Sequence, residues 1–323
     1  MITRQDIAAH LERSMRVGFL LGGKLYSPVR SVFAREVPSD GAFQDYADMG
    51  SLPWPRQNAG KMGASGAETS PAHSPIEGQL TGGANITIVG GEEKSMRVYN
   101  LDWEVAMGVT HNAIDDDQAG DVENWARSAA INFEKHMDYI AFDMLNKGTL
   151  STWGTAYDKQ VMFYASHIDP GAEYQTAQSN VFALALSMDN YETVKVAGSK
   201  MKDTRGQTLG LNHTLIIHPP ELARTVANIT GSREDPDTAK RAINPYAGKT
   251  TALEAPGGWL DSGAWFAIDP TLPQKPVNIQ VRKPPTLRIW DDEAAGDGGV
   301  RYYKWHARYT GFYGDYRLVL KGN

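Results

Sequence analysis

Between Gln118 and Lys147 the apolar residues Val122, Trp125, Ala129, Phe133, Met137, Ile140, Ala141 and Met144 recur every three or four positions without a break. That period marks one face of an α-helix. Asp115-Asp116-Asp117 stands before it, Lys147 ends it and Gly148 follows, a charge order that suits the helix dipole and a glycine stop. About thirty residues rising ~1.5 Å each make a rod of roughly 45 Å. A small compact domain cannot enclose such a rod, whereas an elongated, plate-like subunit can use it as a backbone.

The flanks of the rod differ in character. Upstream, Ile7, Leu11, Met15 and Phe19 fall on one face of a short helix. Thr3 and Asp6 have capping spacing, and Gly22-Gly23 read as the stop. A lone helix of that length is marginal in water, so its stripe needs a surface, in its own core or on a neighbour. From Ser51 to Gly91 periodicity fails: Pro53, Pro55, Pro71 and Pro75 are joined by the breakers Gly82-Gly83 and Gly90-Gly91. A structureless stretch of roughly forty residues is foreign to a compact domain, and it reads as an extended loop ordered by another chain. Within it, Asn85 to Val89 and Met96 to Tyr99 alternate as two arms of one long hairpin.

Beyond the loop, Tyr99 to Thr110 reads as a strand with Leu101, Trp103, Val105 and Met107 on one face. After the rod come a turn-rich aromatic stretch from Tyr157 to His167 and a helix from Met188 to Met201. A buried-type strand from Thr214 to His218 then runs through Pro219-Pro220 into a helix ending at Ile229. Gly231 to Thr251 is a polar loop, Trp259 to Ile268 and Val277 to Val281 read as strands, and Val300 to Leu320 is aromatic β-sequence. The class is α+β.

Chemistry is sparse. With no cysteine, disulfides, thiolate zinc sites and cysteine nucleophiles are excluded. The net charge of −6 comes without the basic domain that a protein living on nucleic acid affinity shows. The run Val17 to Leu21 is too short for a signal or membrane segment, so the expectation is a soluble chain made in the cytoplasm. His111 with Asp115-Asp116-Asp117 offers oxygen and imidazole donors, but in no known loop spacing, and an acidic helix start explains the aspartates without a metal. Gly248-Lys249-Thr250 lacks the first glycine of a phosphate loop, since position 243 is Ile243. Ser65 lacks the final glycine of a nucleophile elbow. Arg301, Lys304 and Arg308 interleave with Tyr302, Tyr303, Trp305 and Tyr309, which in a strand is ordinary patterning of aromatics in and cations out. No cofactor is implied.

The order of parts, arm then loop then rod then compact α/β portion, resembles the Hong Kong 97-type capsid fold of tailed phages, and more closely the Mu-type major head subunit family. The likeness rests on VTHNAIDDDQAG before the rod, YDKQVMFYASH from Tyr157, LNHTLIIHPPELARTVANI, GWLDSGAWFAIDP and ARYTGFYGDYRLVLKG, in that order. Together they span about Val109 to Gly322. Two departures stand out: Lys159 occupies a position where the family favours glycine, and Ile168 one where proline is common.

The resemblance implies an N-terminal arm (1–38), an extended loop (39–98), a peripheral domain with the spine helix (99–172), and an axial domain with strands returning to the peripheral one (173–323). It implies a structural protein and not an enzyme, assembled in the host cytoplasm into hexamers and pentamers of an icosahedral virion head around double-stranded DNA held non-specifically. Portal and scaffolding or decoration proteins are the implied partners, and no membrane is involved. Ile7, Leu11, Met15, Trp54, Trp125 and His136 are the expected inter-subunit contacts. Two other readings stand beside this one: an encapsulin-like compartment, and a metal-dependent hydrolase using Asp115, Asp117 and His111.

Overall fold

A computed structural model describes residues 4–48, 80–82, 86–88, 94–110, 121–169, 174–232, 243–292 and 299–323. Thr3, Trp54, Ser65, His111 and Asp115 to Asp117 lie outside them. The rod is present as helix α2, Asp121–Asn146, 26 residues long. One side of it is sealed: Ala126, Ala129, Phe133, Met137, Ile140, Ala141 and Met144 are all buried.

Helix α1, Arg4–Leu25, packs along α2. Gly22-Gly23 does not end it. A β-carbon at Gly22 would run into the carbonyl oxygen of Arg127, so this glycine is where two helices come within backbone distance, and a helical neighbour on either side outweighs its low intrinsic propensity. Phe19 of α1 reaches past α2 and stacks on Trp305, ring centres 6.4 Å apart.

Beneath both helices lies a four-stranded sheet. It is built from β1 (Ala34–Pro38), β6 (Leu101–Thr110), β11 (Val277–Asp292) and β12 (Val300–Tyr313), in the order β1-β11-β12-β6. β11 is far longer than the Val277–Val281 strand expected. Pro284-Pro285 cannot donate ladder hydrogen bonds, so the pairing with β12 slips by one residue at Val281/Lys283 and again at Lys283/Thr286 before resuming regularly. In β12 the alternation holds for Tyr303, Trp305 and Tyr309, which are buried, and for Lys304 and Arg308, which bond across to Glu104 and Asp102 of β6 at 2.6 Å each. Arg301 departs from it, sharing the face of Tyr303, while Tyr302 points outward and stacks on Trp290.

The loop hairpin is also redrawn. The strand of Met96 is β5, Lys94–Tyr99, and it pairs with β2, Phe43–Asp48, from Phe43↔Tyr99 to Asp48↔Lys94. The apolar run near Asn85 contributes β4, Ile86–Ile88, which pairs with β3, Leu80–Gly82. Two nested ribbons replace one hairpin, because alternation identifies strands but not their partners.

A second sheet has the order β7-β13-β10-β8-β9, with β7 Val181–Phe182, β8 Leu215–His218, β9 Thr251–Glu254, β10 Trp265–Ile268 and β13 Val319–Gly322. Its three middle strands are buried at every position. Leu215, Ile217, Phe266 and Val319 face the core under α2, while Ile216, Trp265 and Leu320 face a second core with Tyr191, Val194, Val226 and Ile229. Those last four come from α3, Met188–Ser199, capped by Ser187, and α4, Ala223–Gly231. Burial on both faces is why these strands read as unbroken apolar runs. Trp259 to Ala264 forms turns, so the strand there starts six residues later than expected.

Between α2 and the second sheet the chain is pinned by Asn180. Its amide nitrogen donates to the carbonyls of Met162 (2.7 Å) and Tyr316 (3.1 Å). Its oxygen therefore accepts from Tyr164 N and from His167 Nε2, which fixes a proton on that ring nitrogen. His167 Nδ1 meets the buried carboxylate of Asp158, and the ring stacks on Tyr316 at 3.8 Å. Lys159 makes this possible: at φ 64° it is the one non-glycine residue with positive φ among those described, turning the chain so that Asp158 points inward.

Two outcomes are expected. Lys159→Gly relieves a left-handed strain of about 1–2 kcal/mol, partly offset by glycine's entropy, so chemical denaturation should show a gain of up to about 1 kcal/mol. Gly22→Leu forces α1 off Arg127 and should cost about 1–3 kcal/mol by the same measurement, as overpacking does.

Candidate functional site

The polar centre of the molecule sits where α1 is tied to α2. After α1, the single turn Val29–Val32 brings Arg30 under the long helix with only 3% of its surface exposed. Its guanidinium donates to Asp138 Oδ1 (2.8 Å), Glu134 Oε2 (2.8 Å), the Glu134 carbonyl (3.2 Å) and Glu36 Oε1 (2.6 Å). Asp138 is fully buried and also accepts from Tyr26 Oη (2.7 Å) and the backbone N of Val29 (2.9 Å). Burial alone would lower the Arg30 pKa, but the hydrogen bonds to Asp138 and Glu134, with the nearby carboxylates, outweigh it and hold the group charged. Tyr26 is pushed up to about 12, first by burial and then by its bond to Asp138.

Between Glu134 and Asp138 on α2, His136 is half-buried. Its Nδ1 lies 2.8 Å from Tyr309 Oη, Trp103 meets its ring edge-on at 4.4 Å, and burial lowers its pKa. His136 therefore has its partners within the chain. Met15 likewise is fully buried in the chain's own core, so its side chain is already occupied. Ile7 and Leu11 lie on α1, but their side chains fall outside the described residues, as Trp54 does entirely. Trp125 is different: it stands on the outer side of α2, 47% exposed.

The surface of α1 carries a feature that the first stripe hides. Val17, Leu20, Leu21 and Leu25 are exposed by 47, 67, 45 and 69%. At helical spacing they form a second apolar face turned away from the core, flanked by exposed Arg13, Arg16 and Lys24. The signal was in the sequence, since a helix with apolar residues on two sides needs two partners. No three histidine, aspartate or glutamate side chains that could hold a metal come together among the described residues. Asp115, Asp117 and His111 are not among those residues.

What remains is a molecule with surfaces and no catalytic constellation among its described parts. The model of the Mu-like prophage major head subunit gpT family matches residues 85–185. Over nearly all its length the chain is similar in fold to the subunit in the procapsid of bacteriophage JBD30, at 15% identity and a TM-score of 0.52, covering 97% of this chain and 74% of that one. A structure from Microbacterium phage Oxtober96 gives 13% identity and 0.52, over 92% and 91%. The virus-like particle from Pyrococcus furiosus gives 8% and 0.51, over 96% and 98%. No curated protein matches. The fold is the Hong Kong 97-type phage capsid fold.

The Arg30 cluster is open to two measurements. Arg30→Met leaves Asp138 buried without its cation and should cost about 3–5 kcal/mol in urea unfolding. Because the folded-state pKa of Tyr26 lies above the ordinary tyrosine value of about 10, its contribution is complete below pH 10 and is lost as pH rises towards about 12. Stability measured from pH 8 to 12 should therefore fall above pH 10, and less steeply in Tyr26→Phe.

Proposed function

We propose that this major capsid protein builds the icosahedral head of a tailed double-stranded DNA phage, as hexamers and pentamers in the virion. The match of residues 85–185 to the major head subunit family carries this reading, and similarity to subunits of assembled phage particles supports it. The division into an N-terminal arm (1–38), an extended loop (39–98), a peripheral domain (99–172) and an axial domain (173–323) follows from the same reading. Portal, scaffolding or decoration proteins and non-specifically held DNA are its proposed partners. Among the described residues no helix is long and apolar enough to cross a membrane.

The proposed work of the molecule is interface burial. An exposed apolar face costs roughly 25 cal/mol per Å² left in water, and contiguous faces of this kind mark interaction sites. Val17, Leu20, Leu21 and Leu25 on α1 and Trp125 on α2 are the described surfaces proposed to meet neighbours. Ile7, Leu11 and Trp54 are proposed with them from the sequence. The encapsulin-like alternative has a structural counterpart in the Pyrococcus particle, but the family match is to a phage head subunit.

Negative-stain electron microscopy of the chain expressed alone, with size-exclusion chromatography, should show closed shells, capsomer rings or sheets. A stable monomer that stays monomeric with its phage's scaffold would overturn the reading. Deleting residues 1–35 removes Met15 and Arg30 from the core and so confuses folding with assembly. Leu20→Ser with Leu25→Ser, both at the surface, should leave thermal unfolding nearly unchanged and reduce the assembled fraction severalfold.

A further inference from the structure

Among the described residues the longest strand, β11, is covered along only part of one edge. β1 pairs with β11 from Val277 to Val281 and stops at Pro38. From Thr286 to Asp292 the strand order gives β11 a single described neighbour, β12, whereas the far edge of β12 is covered by β6 from Val300 to Tyr309. Pro284-Pro285 and the two register slips guard the root of this free edge, as proteins commonly guard edges. Beyond them the sequence Thr-Leu-Arg-Ile-Trp is strand-forming and regularly paired, with no proline or bulge.

The outward side of this edge also lacks a partner among the described residues. Leu287 and Ile289 pack against the core, so Arg288 and Trp290 face the other way, exposed. Trp290 is 45% exposed with its ring on Tyr302. Arg288 stands directly opposite Lys304 in the register, and Lys304 is bonded to Glu104 on its other side. Like charges directly opposite in a sheet are unfavourable. Arg288 has no ion pair among the described residues.

We propose that this edge, Thr286 to Asp292, binds the same edge of a second copy of the chain, as an antiparallel strand pair about a two-fold axis. The charge order of the segment selects the occupant. Arg288 lies towards the root and Asp292 at the far end. Antiparallel pairing centred on Trp290 places each Arg288 across from the other copy's Asp292, twice by symmetry, whereas parallel pairing places Arg288 across from Arg288. A self-complementary edge is what an isologous contact requires. Pairing would extend the four-stranded sheet into one that runs through both copies and would bury both Trp290 rings. This rests on the reading of the chain as a shell subunit and names one contact of that shell.

The absence of cysteine from the chain makes the test direct. Facing residues of an antiparallel pair have Cα atoms about 4.5–5.5 Å apart, within disulfide reach. Trp290→Cys in the full chain, assembled and then oxidised, should migrate as a covalent dimer on a non-reducing gel, while Leu209→Cys, an exposed control, should remain monomeric. Adding Arg288→Asp or Asp292→Arg to Trp290→Cys should each cut the cross-linked fraction, by roughly tenfold for two lost charge pairs, and the two reversals together should restore it. Normal shells without the Trp290→Cys dimer overturn the contact and leave the shell reading intact. Restoration that fails in the double reversal overturns the proposed register. A charge-dependent dimer from a chain that forms no shell or capsomer would keep the contact and sink the shell reading.

Discussion

A single buried guanidinium ties the end of α1 and the start of the first sheet to α2. Arg30 has three carboxylates within hydrogen-bonding distance, from β1 and from two successive turns of α2. Buried charge is tolerated only when paired and hydrogen-bonded, and here the pairing is between segments more than a hundred residues apart. The cluster therefore dictates where the chain leaves α1 and enters the sheet. Once Arg30 is seated, Tyr26 and Val29 find Asp138, Gly22 lies against Arg127, and Phe19 falls on Trp305. The direction of α1 along α2 follows from these contacts, and with it the side of α1 that is left facing solvent.

The long helix can remain exposed on one side because its other side is buried along its length. Gly311 of β12 illustrates the closeness: a β-carbon there would occupy the place of the Met144 sulfur, and Tyr313 donates to the Met144 carbonyl. The second sheet solves a different problem. Its middle strands are short but buried on both faces, so each contributes to two cores at once, and the Asn180–His167–Asp158 network fixes the turn-rich segment that connects it to α2. The described residues hold two cores and leave apolar residues exposed to solvent on both long helices. That physical character agrees with the family and fold to which the chain is similar.

How legible this was differed by element. The helices of Asp121–Asn146 and Met188–Ser199 and the buried strand at Leu215–His218 were readable because their periodicity is local. The partners of the loop strands were not, since Phe43–Asp48 gave no strong alternation of its own and pairing across 45 or more residues is invisible to a local pattern. Gly22 misled because a glycine needed for close approach looks the same in sequence as one needed to stop a helix. Arg30 gave no signal at all: a lone arginine after a proline is usually a solvated one. Among the expected contact residues, Met15 and His136 turned out to be engaged inside the chain, whereas the exposed Val17, Leu20, Leu21 and Leu25 were passed over in favour of the first stripe.

The sequence by itself determined the α+β class, the rod, the doubly buried strands, the absence of thiol chemistry and the family likeness, all of which reside in local periodicity, composition or motif order. Lys159 was legible only as a departure from the glycine favoured there, and its left-handed φ of 64° came from the structure. Only the tertiary structure decided which of two apolar faces on α1 is core and which is surface, which strands pair, and which edge of β11 stays open. Those depend on where distant segments meet, and a charge or an apolar side chain acquires its role from the neighbour it finds, which no local pattern records.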